Sequence, residues 1–188
     1  MARKRRAWHP KGYYHIIVRG NNRQNIFRNH EDVNEYFRVM DFVNGKFPFE
    51  LYAYCIMTNH AHLLLRSPIV PLGKLMAPLN RRYSDYCRKR HGYVGQIYQN
   101  RYFSKEVIDA TGLLQVSSYI HRNPIETKQP MVRSMELYPH SSYKYYFHER
   151  QSPYPYLIIN LLPSLLPPGW ERTPQGYAKY CRESRAGN

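Results

Sequence analysis

Residues 49–66 read FELYAYCIMTNHAHLLLR and contain two β-type runs in direct succession. Both runs are rich in the aromatic and aliphatic side chains that fit a half-buried pleated surface. The pair Thr58-Asn59 between them suits a tight antiparallel turn. We therefore predict a β-hairpin, whose strands span residues 49–57 and 61–66.

The sequence on either side of this hairpin predicts two more strands and three helices. Tyr13–Arg19 has strand composition and stops at Gly20. Apolar residues then recur at helical spacing over residues 31–44, with Asn29 as a candidate N-cap and Gly45 as the expected terminator. The remaining predicted elements are a second helix with its apolar face between Leu72 and Cys87, a strand at residues 102–108 and a helix at residues 113–121 that Asn123-Pro124 should end.

The predicted order βαββαβα indicates an α+β fold with a ferredoxin-like (RRM-like) antiparallel sheet. The third helix would then have to pack elsewhere on the sheet. Beyond residue 150 the composition shifts to Pro and Leu, so we predict a domain at residues 1–150 and an accessory tail at residues 151–188.

The charge of the chain indicates a polyanionic partner, with nucleic acid as the first candidate. Lys and Arg total 28 against 13 Asp and Glu, giving a net charge of +15. Residues 1–30 carry many of these cations and no acidic residue, which predicts a basic N-terminal arm or a solvated surface. The 19 Tyr and 7 Phe favour unpaired bases over duplex, because aromatic rings stack on exposed bases.

Cysteine usage and hydropathy indicate a cytoplasmic protein, and a DNA partner would make it nucleoid-associated. The three cysteines are widely spaced and lack a C-x-x-C pair, which argues against a disulfide framework and a structural zinc site. No apolar run approaches the roughly 20 residues that cross a bilayer, and no apolar segment follows the basic start.

His60 and His62 alternate along a predicted strand and should therefore point to the same face. Two imidazoles so placed can chelate one metal ion. The pattern is not specific, since nine His in 188 residues give about 0.4 such pairs by chance. A working site needs a third ligand and open positions, which a neutral amide can provide for Mg²⁺ or Mn²⁺.

Tyr119 and Asn123 stand four residues apart at the end of the third predicted helix and should share a face. One could attack a substrate while the other binds a metal. About 1.2 such pairs are expected by chance, and a second occurs at Tyr156 and Asn160. Context favours Tyr119, because prolines flank Tyr156 and disfavour a rigid helix.

Four ordered blocks of sequence resemble the HUH single-strand DNA transposases, most closely the REP-associated tyrosine transposases. The likeness runs from about Tyr13 to Tyr146. The blocks begin with HIIVRGNNR at residues 15–23, together with Ile26-Phe27, and continue with MTNHAHLL at 57–64, QNRY at 99–102 and YIHRNP at 119–124. Two positions depart from the pattern: Asn123 stands where the insertion-sequence branch commonly has Gln, and His140 where we expect Trp.

The resemblance implies a role for each site residue. His60 and His62 would be the HUH pair, Tyr119 the nucleophile and Asn123 the third metal ligand. It also implies the ferredoxin-like core and, as substrate, an imperfect DNA hairpin beside a short single-stranded guide. Relatives include both dimers and monomers, and we expect a monomer rather than a homodimer.

We expect Tyr119 to attack a phosphodiester in line, leaving a 5′-phosphotyrosine and a free 3′-OH for later strand joining. Without the resemblance, a metal-dependent nuclease that uses water would compete with this hypothesis. The alternative from another class is a non-catalytic RRM-like nucleic-acid-binding domain, although the RRM signature is missing. The predicted DNA-binding residues are Arg19, Arg23, Arg81, Arg82, Arg88, Arg101 and Lys105.

Overall fold

The computed structural model describes residues 8–184, so the predicted basic arm lies largely outside the described residues. The strands are β1 (Tyr13–Arg19), β2 (Glu50–Ile56), β3 (His60–Arg66) and β4 (Phe103–Val107). The helices are α1 (His30–Lys46), α2 (Leu72–His91), α3 (Ala110–Glu126), α4 (Tyr143–Phe147), α5 (Leu161–Ser164) and α6 (Pro174–Glu183). Short 3₁₀ turns occur at Asn21–Arg23 and Met135–Leu137.

The four strands form one sheet in the order β2-β3-β1-β4, and all three neighbouring pairs are antiparallel. With the element order β1-α1-β2-β3-α2-β4, this is the ferredoxin-like arrangement that the sequence predicts. Strand β1 is central, and its register places Arg19 opposite His60 and Ile17 opposite His62. The fold thus brings the end of β1 beside the predicted metal ligands.

Alternation along the strands gives the sheet two covered faces. Tyr14, Ile16 and Val18 of β1 pack in one apolar cluster with α1 and α2. The other face packs against α3, α4 and α6 in a second cluster. The third predicted helix therefore covers the second face of the sheet. His60 and His62 alternate with Ala61 and Leu63, which belong to the first cluster, so the two imidazoles point to the α3 side.

Two predicted helix ends are wrong. Helix α1 continues through Gly45 to Lys46, because Pro48 rather than the glycine ends it: the residue before a proline is disfavoured in helical conformation. Helix α3 continues through Pro124 to Glu126. Pro124 removes the hydrogen bond that its N–H would donate, and its ring crowds the carbonyl four residues earlier. Less than one turn follows it, so this disruption stays at the end of the helix.

The segment after residue 150 packs on the body of the protein. Leu157 pairs with Leu51 at the outer edge of β2, and backbone hydrogen bonds of 2.7 and 2.8 Å join Leu51 to Tyr156 and Ile158. Tyr177 and Cys181 of α6 are fully buried against the second face. Within residues 8–184, no helix combines the length and apolar composition needed to cross a membrane.

Candidate active site

His60 and His62 form the floor of the site at the start of β3. Their rings lie 4.9 Å apart and nearly perpendicular. Asn123, which is buried on α3, faces both rings: its Oδ1 lies 3.3 Å from Nε2 of His60, and its Nδ2 lies 3.4 Å from Nε2 of His62. The three side chains therefore converge from a strand and a helix on one point.

The other nitrogen of each imidazole has a partner of its own. Nδ1 of His60 lies 2.5 Å from Oδ1 of Asn59, and Nδ1 of His62 lies 2.9 Å from Nε2 of His15. An amide oxygen only accepts, and the contact of Nδ1 with Asn59 is shorter than the 3.3 Å contact of Nε2 with Oδ1 of Asn123, which favours the tautomer of His60 with its proton on Nδ1. Metal binding requires this tautomer, because it leaves the lone pair of Nε2 free. Such outer partners fix the tautomer and orientation of metal-binding histidines.

The environment keeps these histidines neutral at pH 7. Burial lowers the pKa of His60 to about 4, with a further contribution from the charge of Arg19. Burial also lowers the pKa of His62 to about 2, assisted by His60, His15 and Arg19. The pKa of His15 falls to about 4 through burial and the nearby charge of Lys105. Neutral imidazole is the form that binds a metal.

Tyr119 lies on α3, one turn before Asn123, and 41% of its surface is exposed. Its ring meets His62 edge-on at 5.5 Å and His15 at 6.1 Å. The phenol hydroxyl makes no hydrogen bond to any of residues 8–184, so it is available to a substrate. The helix thus places an exposed phenol and a buried amide on either side of the histidine pair.

The competing pair Tyr156 and Asn160 has no such surroundings. Tyr156 is 5% exposed, packs in the cluster on the α1 side and donates a 2.7 Å hydrogen bond to Asp41. Its hydroxyl is therefore engaged in the core. Of the two Tyr-x-x-x-Asn pairs, the structure brings only the one at Tyr119 to the histidines.

The donor set fits a hard divalent cation with open coordination positions. Two neutral imidazole nitrogens and one amide oxygen converge at the site, and the neighbouring Tyr119 is exposed. Among residues 8–184 no group of three His, Cys, Asp or Glu side chains is arranged to hold a metal. A metal here would need Asn123 as its third protein ligand, and the remaining positions would be left for substrate oxygens.

The predicted DNA-binding cations fall into two groups. Arg19, Arg101 and Lys105 lie on or beside the β1–β4 half of the site face, where Arg19 is opposite His60 and Lys105 opposite His15. Arg23 is close to the β-hairpin turn, since its carbonyl accepts a 3.2 Å hydrogen bond from Asn59.

The second group lies on α2, which packs against the opposite face of the sheet. Arg82 stacks over the ring of Phe42 at 3.6 Å, and Arg88 lies 3.2 Å from the carboxylate of Asp85. Arg81 is exposed on the same helix. The structure therefore does not bring Arg81, Arg82 or Arg88 to the histidine pair.

A family model described as "Transposase IS200 like" matches residues 9–123, which is more than half of the chain and includes every residue of the site described above. The chain belongs to the IS200-like transposase family. Membership implies an enzyme that cuts DNA and transfers strands. The resemblance drawn from the sequence blocks is confirmed.

Two individual matches are consistent with this family. The transposase is 27% identical over 122 residues to a Haemophilus influenzae protein named as a REP-associated tyrosine transposase, a match that covers 59% of this chain and 68% of that protein. It also resembles a solved structure of a REP-associated tyrosine transposase bound to a REP hairpin. That match has a TM-score of 0.66 at 17% identity and covers 90% of this chain and 91% of the other. The second match shows a shared fold.

Two residues of this transposase site, His15 and Asn59, are not evident from the sequence pattern. Asn59 has the composition of a turn residue, although it stands next to His60. His15 lies on a strand whose bounds are predicted correctly, but its contact with His62 depends on the β1–β3 register. A one-residue shift of that register would turn every side chain of β1 to the other face. The pattern of the strand alone therefore could not pair the two histidines.

Proposed function

We propose that this IS200-like transposase cuts and rejoins single-stranded DNA with Tyr119 as the nucleophile. The observation that carries the proposal is the convergence of His60, His62 and Asn123 beneath an exposed tyrosine of the same helix as the amide. Spacing in the sequence supplies two candidate tyrosines, and only Tyr119 lies beside the histidines. This arrangement favours a catalytic protein over an RRM-like binding domain, which would not need the three polar side chains.

His60, His62 and Asn123 would hold Mg²⁺ or Mn²⁺, which supplies Lewis-acid stabilisation of the charge that develops on the scissile phosphate. Such help matters because a phenol hydroxyl is a weak nucleophile unless another group activates it. Asn59 and His15 would keep both imidazoles in the orientation shown. Arg19, opposite His60, adds positive charge on the substrate side.

In the first step, the hydroxyl oxygen of Tyr119 forms a bond to phosphorus while the P–O3′ bond breaks in line with it. The phenol gives up its proton and the departing 3′-oxygen gains one. The products are a 5′-phosphotyrosine and a free 3′-OH. The second step reverses the first with another 3′-OH, so the energy of the phosphodiester bond is kept for strand joining.

We infer that the substrate is an imperfect DNA hairpin with an adjacent single-stranded segment. The net charge of +15 suits a polyanion. The solved relative of the same fold is described as bound to a REP hairpin. One chain contains the whole set of site residues, with Tyr119 5.5 Å from His62, which supports a monomer that acts in cis.

A denaturing gel with a labelled single-stranded hairpin library tests this proposal. Wild type, Tyr119→Phe, Tyr156→Phe and His62→Ala are each incubated with Mn²⁺ or with EDTA. We expect a shifted covalent band in wild type and Tyr156→Phe with Mn²⁺, and no such band in Tyr119→Phe, in His62→Ala or with EDTA. Cleavage without a covalent band in wild type would indicate a nuclease that uses water. Binding without cleavage under all conditions would favour the non-catalytic alternative.

A further inference from the structure

An open groove adjoins the site on the second face of the sheet, between the end of β1, the start of β4 and the loop that precedes β4. It has a volume of about 300 Å³, at the lower end of the range for small-molecule pockets. Its most unusual residue is Phe103 of β4, a large aromatic side chain that is 53% exposed. The lining residues are Ile17, Arg19, Gln99, Asn100, Arg101 and Phe103.

The register of the sheet fixes the distance between this groove and the histidine pair. Ile17 stands directly opposite both His62 on β3 and Phe103 on β4. The three residues form one row across adjacent strands, and strands are spaced by about 4.8 Å. Phe103 is therefore about 10 Å from His62, a separation that one nucleotide can span from phosphate to base.

Within residues 8–184, the aromatic and polar side chains of the groove have no stacking, ion-pair or hydrogen-bond partner. Phe103 stacks on no other aromatic ring in the described part of the chain, and Arg19 and Arg101 form no ion pair or hydrogen bond through their guanidinium groups with residues 8–184. The amides of Gln99 and Asn100 are likewise exposed to the groove. An apolar ring, two cations and two amides match the parts of a nucleotide: base, phosphate and base edge.

The groove is also preformed. The N–H of Gln99 donates a 3.0 Å hydrogen bond to the carbonyl of Arg19, and the N–H of Asn21 donates one of 2.8 Å to the carbonyl of Ile97. Gly20 and Tyr98 form a β-bridge between the same two segments. These hydrogen bonds hold the loop against the end of β1, so binding does not have to order it first.

We propose that this groove binds one unpaired base of the DNA substrate, next to the scissile phosphate. The base stacks on Phe103, Arg19 and Arg101 contact the flanking phosphates, and Gln99 and Asn100 hydrogen-bond to its edge. The subsite deepens the proposed function and rests on it, because it assumes that the scissile phosphate lies at His60 and His62. Stacking of a base would account for the exposed ring of Phe103 on the sheet face that carries His60 and His62.

The test compares two fluorescein-labelled probes with the same number of phosphates, dT12 and a 12-residue abasic strand, by fluorescence anisotropy in EDTA. Wild type should bind dT12 about five-fold or more tightly than the abasic strand, since stacking of one base contributes on this scale. Phe103→Ala should lose most of this preference and Phe103→Trp should keep it. The matched control is Phe42→Ala, an exposed phenylalanine of α1 that lies beneath Arg82 away from the site.

Two further readouts separate a local effect from misfolding. The emission of the Phe103→Trp variant should be quenched by dT12 and not by the abasic strand. The slope of log K against log salt should stay unchanged in Phe103→Ala. In Arg19→Ala and Arg101→Ala the same slope should become shallower by about 0.7 for each phosphate that the variant no longer neutralises.

The failure of this subsite can be distinguished from the failure of the proposed catalysis. An equal preference for dT12 in wild type and Phe103→Ala, with no quenching in Phe103→Trp, would overturn the base subsite even if Tyr119 forms its covalent adduct. A missing adduct together with an intact effect of Phe103 would overturn the catalytic proposal and leave base binding in place.

Discussion

His62 is held at both ring nitrogens, with His15 at Nδ1 and Asn123 at Nε2. The side chain is 1% exposed, and the histidine behind it is 9% exposed, so neither ring can reorient without disturbing the sheet. A neutral His15 accepts the Nδ1 proton of His62 and leaves the lone pair of Nε2 directed towards the site. At the scale of single residues, His15 is therefore a positioning residue for a proposed metal ligand.

We expect His15→Ala to weaken Mn²⁺ binding by about 10- to 100-fold, the usual effect of removing a partner behind a metal-binding histidine. Titration of the DNA-free protein with Mn²⁺, followed by electron paramagnetic resonance of the free ion, measures this directly. His15→Gln should recover part of the affinity, since its amide oxygen can accept the same proton. Replacement of the exposed His148 by alanine is the matched control, and an unchanged affinity in His15→Ala would show that His62 needs no support.

Helix α3 contributes three side chains with different roles within about one turn. Tyr119 is exposed, Asn123 is buried against the histidines, and His121 is fully buried on the inner side against α4 and α6. Arg122 of α3 joins this helix to the C-terminal end of α6. Its Nη1 donates hydrogen bonds of 3.0–3.3 Å to the carbonyls of Cys181, Arg182 and Ser184. A cation at the C-terminal end of a helix is also favoured by the helix dipole.

Replacing Arg122 by alanine should loosen the packing of α3 on α6 at a cost of about 2 kcal/mol in unfolding free energy, because the charge-assisted hydrogen bonds to α6 can no longer form. Hydrogen exchange should increase first in residues 174–183 and then in α3. Arg122→Lys should recover only part of the stability, since an ammonium lacks the planar fork of donors. Exchange rates in α6 equal to those of wild type would contradict this role.

His121 predicts an acid sensitivity that is independent of the proposed metal site. Burial lowers its pKa to about 3, and its ring nitrogens lie 2.7 Å from Oγ of Ser142 and 3.1 Å from the hydroxyl of Tyr177. In the unfolded chain His121 becomes protonated below about pH 6.5, whereas in the folded protein it stays neutral down to about pH 3. The free energy of unfolding therefore falls as the pH drops through this window.

Between pH 7.5 and 5.0 the decrease in stability that His121 causes should be about 2 kcal/mol. The free energy of unfolding by urea is measured in EDTA at both pH values for wild type and His121→Gln. The difference between the two pH dependences gives the contribution of His121. Parallel decreases in the two proteins would mean that His121 is protonated in the folded state.

At the same scale, local patterns in the sequence predict the elements whose determinants are themselves local. The bounds of β1 are correct, and Asn29 caps α1 by accepting a 3.0 Å hydrogen bond from the N–H of Asp32. The predicted start of α3 is too late, because the helix begins at a cap on Asp109, which accepts from Gly112. Helix α6 is not predicted, since its burial depends on α3 and α4 rather than on its own composition.

Over the whole molecule, positive charge lies on both sides of the sheet, whereas His60 and His62 both lie on the side that faces α3. Arg19 and Arg101 border the site, whereas Arg81 and Arg82 lie on α2 across the sheet. Charge reversal of Arg19 and Arg101 should therefore weaken binding of a single-stranded hairpin oligonucleotide by roughly ten-fold or more at low salt.

Reversal of Arg81 and Arg82 is the matched control, because it changes the net charge by the same amount. It should have a much smaller effect if binding is local to the site face. Anisotropy titrations at several salt concentrations measure both. Equal decreases in affinity in the two double variants would show that α2 also contacts DNA, as the sequence alone predicts.

The most direct test of the central claim is to locate the covalent bond. Wild-type protein is incubated with single-stranded hairpin DNA and Mn²⁺, digested with nuclease and protease, and the remaining nucleotide is mapped by mass spectrometry. The expected result is a nucleotide attached to the phenol oxygen of Tyr119 alone, and absent when EDTA is present. Attachment to Tyr156 or another residue, or cleaved DNA with no modified peptide, would contradict Tyr119 as the nucleophile.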